Sequence, residues 1–529
     1  MGNIVFIAIA LSILFSPAFA VLELPNAQPK VGAKQWKQVL DSTWQGLVRR
    51  NIDECVGKLI YTGHPSSSGL ICRPKSETPW DAVSEGIGYG MLLALYSNDQ
   101  YRFNQIYKAG KEFHLNYCQG WRKPADGSGT ESGSATDADE DIAIALVFAD
   151  KLAKKGLWES PSDINYAGDA QNAIDCVWRS MDNGKLCPGN GWCPGFNVGY
   201  FAPAWYRIFK DYKPINQSHN WQLAINESYN LIESVKNTGY TLGMVPDWSA
   251  ADGTPGGGGY NTYSNGQVFF KDAIRVLWRI ATDAIWFNEP RAKTFLTNSL
   301  TFIKGKGGPG EANFYKLNGE LINNDKWTQF NDQNNSNTWR YRREHSHLTV
   351  GQWLTAAMAV GTDDDKIAWS SKMAEFYDWE NKVDFFGNAV DPTGGIEDTL
   401  HNEMYFDQFL AWFGVSLMSG TWVNIIDVLD NPIENDVEGI TVQPFLEPEP
   451  PDYIKKNHIR HGIQITQSRK LLQMRSQSDV VWKIHNLQGK LLFSSNSRET
   501  SWNSGNFKGA VVVSAVSKSN AERRLLVVK

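Results

Sequence analysis

From about residue 32 to residue 430, apolar residues recur every three or four positions, and loops rich in Gly, Asn and Pro separate the runs. "KQWKQVLDSTWQGLVRRNI" (34–52), "GYGMLLALYSN" (88–98), "QYRFNQIYKAGKEF" (100–113) and "DIAIALVFADKLAKKG" (141–156) read as helices. So do "WQLAINESYNLIESVKNTG" (221–239), "DAIRVLWRIATDAIWF" (272–287) and "LTVGQWLTAAMAVG" (348–361). About a dozen such helices joined by long loops predict a helical barrel or toroid, because a bundle uses shorter connections. Past residue 460 the period falls to two. "HGIQI", "DVVWKIHN", "GKLLFSS", "GAVVVSAVS" and "RRLLVVK" alternate between Gly, Asn and Ser breaks and predict a small all-β module over 453–529. Between the two parts, "NPIENDVEGITVQPFLEPEPPD" (431–452) is rich in Pro and Glu and reads as a linker.

Charge divides at the same place. Residues 454–529 carry 14 Lys and Arg against 3 Asp and Glu, a net +11, so the preceding 453 residues carry −17 of the overall −6. At 529 residues, 42% apolar and 20% charged, the chain has the composition of a soluble globular protein with a large core and an appendage. The first 20 residues, "MGNIVFIAIALSILFSPAFA", end an apolar run in Ala-Phe-Ala. They read as a signal peptide cleaved after Ala20, although its start lacks a Lys or Arg. No later run is long enough to span a bilayer, so a secreted or cell-surface protein is expected, with 21–430 as its main domain. Nucleic acid is a poor partner for an exported chain.

All six Cys lie before residue 194, and an even count in an exported chain favours disulfides over metal. "CPGNGWC" predicts a Cys187–Cys193 pair; Cys55–Cys72 and Cys118–Cys176 complete one arrangement. No Cys/His cluster has metal-ligand spacing, so no metal or other cofactor is expected. The 21 Trp suit sugar stacking and core packing equally.

Three stretches carry candidate chemistry. "GSATDADEDIAIALVFADKLA" (133–153) loads Asp137, Asp139, Glu140 and Asp141 onto a helix start. One or two acids there serve the dipole and a cap; four exceed that need. "VSEGIGYGMLLALY" (83–96) sets Glu85 before Gly86, Gly88 and Gly90, whose spacing suits close approach of a backbone or a ligand. Read alone, Glu85 serves the dipole and the glycines serve helix packing. In "QVFFKDAIRVLWR" (267–279), Asp272 and Arg275 stand three apart and can pair, as a structural bridge or as part of a site. Separated carboxylates among aromatics are what cleavage of a glycosidic bond needs: an acid for the leaving oxygen and a base for water. The acid must keep its proton, through apolar burial or nearby negative charge.

"SEGIGYGM", "ATDADEDIAIALVFADKL", "GYFAPAWYRIF", "GMVPDWSAADGTP" and "DAIRVLWR", in this order, resemble the landmarks of glycoside hydrolase family 8, chiefly its bacterial endoglucanases, over about residues 35–425. The resemblance implies an all-α (α/α)6 barrel with an open cleft and an inverting endo-β-1,4-glucanase. It implies Glu85 as general acid, Asp272 as general base and Asp137 as an essential carboxylate at the cleavage subsite, with Glu140 and Asp141 left to cap the helix. Trp121, Tyr200, Trp205, Trp248, Arg275 and Tyr405 are its implied substrate-binding residues. Lys271 stands where relatives often carry Tyr, Phe406 where a second Tyr is usual, and Ala153 where an aromatic is usual. Xylanase or chitosanase activity on the same fold, or a non-catalytic glycan-binding protein, are the alternatives. A monomer acting on β-1,4-linked polysaccharide is expected. The basic β-module resembles sorting or attachment modules of exported Bacteroidetes/Fibrobacter-type proteins, which implies contact with the cell surface or the secretion machinery.

Overall fold

Two kinds of helix alternate along residues 33–419. The computed structural model describes residues 31–53, 81–124 without 112–113 and 116–117, and 133–322 without 190–191, 213–218, 237–238 and 257–267. It also describes 328–331, 338–341, 345–387 without 380–381, 405–431, and 463–528 without the loops at 469–470, 477–480, 487–490, 504–508 and 517–520. Among these residues the longer helices are α1 (Ala33–Leu47), α2 (Ser84–Tyr96), α3 (Gln100–Gly110), α4 (Thr136–Lys154), α5 (Tyr166–Arg179) and α6 (Pro203–Asp211). Then come α7 (Trp221–Ser234), α8 (Val276–Phe287), α9 (Pro290–Lys306), α10 (His347–Val360), α11 (Asp363–Ala374) and α12 (Tyr405–Ser419).

The even-numbered helices form a closed ring, in which α2 touches α4, then α6, α8, α10 and α12 follow, and α12 returns to α2. Each odd-numbered helix packs outside the ring: α1 on α12, α3 on α2, α5 on α4, α7 on α6, α9 on α8 and α10, and α11 on α10. Six inner and six outer helices make the (α/α)6 barrel. Sequence decides which is which. Outer helices such as α1 and α5 have one apolar and one polar face, whereas α4 is buried on every side from Thr136 to Asp150. An inner helix of a closed ring has neighbours all round, so α4 has no polar face along that stretch.

Close crossings in the ring need glycine. A Cβ on Gly414 of α12 would lie 1.9 Å from the Gly351 oxygen of α10, and one on Gly88 of α2 would lie 3.0 Å from Asp141 Cβ in α4. Inside the ring, Trp205, Trp278, Trp286, Phe413 and Trp422 form an aromatic plug, with Trp278 stacked on Phe413 at 4.6 Å and 11°. Much of the tryptophan thus fills the core.

Cys118–Cys176 and Cys187–Cys193 are disulfide-bonded; Cys55 and Cys72 lie outside the described residues, as do residues 1–20 and 432–452. No described helix is long and apolar enough to cross a membrane.

The chain divides into two compact units, Met1–Val442 and Gln443–Lys529. In the second, β1 (Ile463–Ser468), β2 (Leu471–Ser476), β3 (Val481–Asn486), β4 (Leu491–Ser495), β5 (Glu499–Asn503), β6 (Gly509–Val516) and β7 (Ala521–Val528) are all antiparallel. They build sheets of order β1-β2-β5 and β4-β3-β6-β7. Met474, Trp482, Ile484 and Trp502 are buried in this unit.

Candidate active site

The starts of three inner helices, α2, α4 and α12, converge on one side chain, Arg275, in the turn that leads into α8. Its Nη1 donates to Glu85 Oε2 at the start of α2 and to Asp137 Oδ2 at the start of α4, both at 2.7 Å. Its Nη2 donates to Asp272 Oδ1 at 2.9 Å. The guanidinium lies 4.7 Å from the Tyr200 ring centroid and 5.8 Å from that of Phe406. Tyr405, the first residue of α12, donates its hydroxyl to Glu85 Oε1. Helix starts suit this gathering of acids, because their free N–H groups and dipoles favour negative charge.

One guanidinium cannot neutralise three carboxylates out of water. Desolvation raises the Glu85 pKa to about 7; Arg275 opposes the rise, Asp137 and Asp272 add to it, and the Tyr405 hydrogen bond opposes it. Glu85 is 16% exposed along its side chain and Asp272 32%, so Glu85 is the less solvated of the two. Asp272 is also raised by loss of solvent, with Arg275 opposing. The pattern is one carboxyl able to hold a proton near neutrality beside two more carboxylates, which is what paired acid and base chemistry requires.

The other acids of the 137–141 cluster do different work. Asp141 takes a two-pronged hydrogen bond from Arg279, 3.0 and 2.9 Å, and one from the Trp205 indole at 2.8 Å. Glu140 pairs with Arg279 at 2.9 Å and accepts from Tyr206 at 3.0 Å. Neither caps the helix: the N-cap is Ala135, with no side-chain cap. The capping expectation is corrected, since both carboxylates point into the ring, where Arg279, Trp205 and Tyr206 satisfy them. Thr136 does not cap either; its hydroxyl donates to the Cys187 carbonyl at 2.6 Å.

The implied sugar-binding aromatics fall into four groups. Tyr200 and Tyr405 stand in the Arg275 cluster. Trp121 is 37% exposed, and its carbonyl accepts from the Ser84 N–H beside Glu85. Trp248 is buried and stacks at 5.8 Å on Trp192, which is 38% exposed and was not among the residues singled out. Trp205 is a correction: it is buried in the aromatic plug with its N–H on Asp141, so no sugar can reach it. The sequence signal for Trp192 was its place in "CPGNGWC", a loop tied to the start of α4 by Thr136 N–H to Pro188 O at 3.1 Å.

Asp247 was also missed as an acid, although it lies inside the "GMVPDWSAADGTP" landmark. It is buried, and its Oδ1 accepts from the N–H groups of Phe270 and Ala273. Among the described residues one trio brings metal-type ligand atoms together, Cys118, Asp139 and Cys176, but its two sulfurs are joined in a disulfide.

Residues 61–304 match the profile described as glycosyl hydrolases family 8. Endoglucanase 2 of Ruminiclostridium josui is 39% identical over 256 residues, 47% of this chain and 52% of that protein. Endoglucanase A of Acetivibrio thermocellus is 36% identical over 265 residues, 48% of this chain and 53% of that protein. The chain thus spans about half the length of these relatives. A reducing-end xylose-releasing exo-oligoxylanase of Halalkalibacterium halodurans is 23% identical over 412 residues, 73% of this chain and 88% of that protein. The solved structure of Rex8A from Paenibacillus barcinonensis complexed with xylose superposes with a TM-score of 0.51 at 17% identity, over 74% of this chain and 97% of that one, a likeness of fold. Glu85, Asp137, Asp272 and Arg275 all lie inside the segment 61–304 that is similar to glycosyl hydrolases family 8.

Proposed function

We propose that the chain is a secreted, endo-acting hydrolase of β-1,4-glucan that inverts the anomeric carbon. The observation that carries the reading is the single guanidinium of Arg275 drawing Glu85, Asp137 and Asp272 together, with the Glu85 pKa at about 7. Endoglucanases at 36% and 39% identity support glucan as the substrate.

In the proposed reaction Glu85 gives its proton to the glycosidic oxygen as the bond from that oxygen to the anomeric carbon breaks. A water attacks the same carbon from the opposite face and gives its proton to Asp272. Inversion requires room for that water, roughly 6.5–9.5 Å between acid and base. Asp137 faces the sugar and stabilises the positive charge that develops on the ring, while Arg275 keeps the three carboxylates apart and in place. Trp121 and Trp192 offer faces for flanking sugars. The unit Gln443–Lys529, with its basic charge, serves attachment or sorting outside the cell, and residues 1–20 direct export. Xylan is the second reading, favoured by the 412-residue match to an exo-oligoxylanase.

Proton NMR of the protein with cellohexaose tests the proposal. Early α-anomer product establishes hydrolysis of β-1,4-glucan with inversion. Early β-anomer sinks the mechanism, and cleavage of xylo-oligomers alone moves the substrate to xylan. Glu85→Gln and Asp272→Asn should each abolish turnover while leaving oligosaccharide binding, and substantial activity of either variant on unactivated glucan refutes its assigned role.

A further inference from the structure

We propose that Asp247 is a positioning residue for the base: it grips the turn that carries Asp272 and sets where that carboxylate stands. The inference rests on the reading of Asp272 as base. Asp247 lies 25 residues before Asp272, in a different loop, and is buried. Its Oδ1 accepts two backbone N–H groups, from Phe270 at 3.1 Å and from Ala273 at 2.9 Å, so the backbone is pinned on both sides of Asp272. Its own N–H donates to the Val268 carbonyl at 3.0 Å, which fixes Asp247 to the chain entering that turn.

The turn is confined from the opposite direction as well. A Cβ on Gly199 would lie 2.0 Å from the Asp272 carbonyl oxygen, so the Val198–Tyr200 turn is in backbone contact with the base. Arg275 Nε donates to the same carbonyl at 3.3 Å. The indole of the next residue, Trp248, favours the ionised form of the Asp272 carboxylate. Asp247 thus holds the main chain of the base, and Arg275 holds its side chain. A carboxylate is an expensive group to bury, and this one shares its surroundings with the charge of Asp272, so its pKa is pushed well above the ordinary range. The hydrogen bonds it makes in return go to the turn of the base. Correct placement of a catalytic group within about 1 Å is worth about a hundredfold in rate.

The test compares Asp247→Ala, Asp247→Asn and Asp272→Asn on cellohexaose with the full-length protein. An Asn side chain still offers Oδ1 to both N–H groups; Ala offers nothing. The expected result is a loss of about a hundredfold in kcat for Asp247→Ala with KM within about threefold of wild type, and kcat restored to within about fivefold by Asp247→Asn. A wild-type kcat in Asp247→Ala overturns the proposal, provided Asp272→Asn is inactive. A fall in kcat of Asp247→Ala matched by an equal rise in KM and by loss of the folded state in thermal melts also overturns it, because that is general structural damage. If Asp272→Asn keeps the wild-type rate, the base assignment fails, and the positioning role fails with it.

Discussion

Glu85 must hold a proton at working pH although a guanidinium lies 2.7 Å away. Burial wins over that attraction because three carboxylates share the one positive charge, and its pKa settles at about 7. The sign for stability follows: the folded state binds the Glu85 proton more tightly than the unfolded one, so this group stabilises the fold below pH 4.5 and loses that contribution as pH rises toward 7. For activity the same proton is the reagent, so the alkaline limb of kcat/KM should fall near pH 7. Tyr405 donates to the ionised form and lowers the pKa. Tyr405→Phe should therefore move the alkaline limb to higher pH, a shift read from pH–rate profiles; a limb that stays put or moves down contradicts the role of this bond. At this scale the Asp272–Arg275 pair could be singled out from its spacing, whereas Glu85 stood out only through the family resemblance. Asp247 lies inside the "GMVPDWSAADGTP" landmark, but its hold on the turn of Asp272 is a contact that spacing along the chain does not reveal.

One face of α8 and of the turn before it orders the interior in layers. Arg275, Arg279 and Asp283 stand four residues apart, so each lies one turn deeper than the last. The first layer holds Glu85, Asp137 and Asp272; the second holds Glu140 and Asp141; the third joins Asp283 to Arg207 at 2.7 Å. On α4 the matching acids, Asp137 and Asp141, are also one turn apart. The crowding of acids at 137–141 therefore has two purposes, one in each layer. Arg279→Leu leaves Glu140 and Asp141 buried without their cation and should lower stability by about 3–5 kcal/mol. Burial already raises both carboxyl pKa values, and losing Arg279 raises them further, so protonation at low pH relieves the loss. Thermal melts should show a larger drop at pH 8 than at pH 5; an equal drop at both would mean that charge is not the cause.

At the scale of the whole molecule, closure of the helical ring and the two described disulfides set the frame of the site. Cys118–Cys176 spans 58 residues and Cys187–Cys193 spans 6. By chain entropy these loops are worth about 4 and about 2 kcal/mol, respectively. Replacing Cys118 and Cys176 by Ser should lower the melting temperature more than replacing Cys187 and Cys193. The second pair should instead weaken substrate binding, because its loop carries Trp192 against Trp248. Melting curves and KM for cellohexaose check both, and the reverse ranking would contradict the assignment of the small loop to the cleft.

The sequence by itself determined the helical class, the change to strands after residue 460, the opposite charges of the two parts and the Asp272–Arg275 pair. These are local properties, written in periods of two or 3.6 residues and in neighbours three apart. Only the tertiary structure decided which tryptophans meet solvent, which acids meet Arg275 and which meet Arg279. Arg275 reaches Asp137 across 138 residues and Glu85 across 190, contacts that exist because six inner helices close into a ring with their starts together. A local pattern places an acid at a helix start; ring closure determines which arginine it meets.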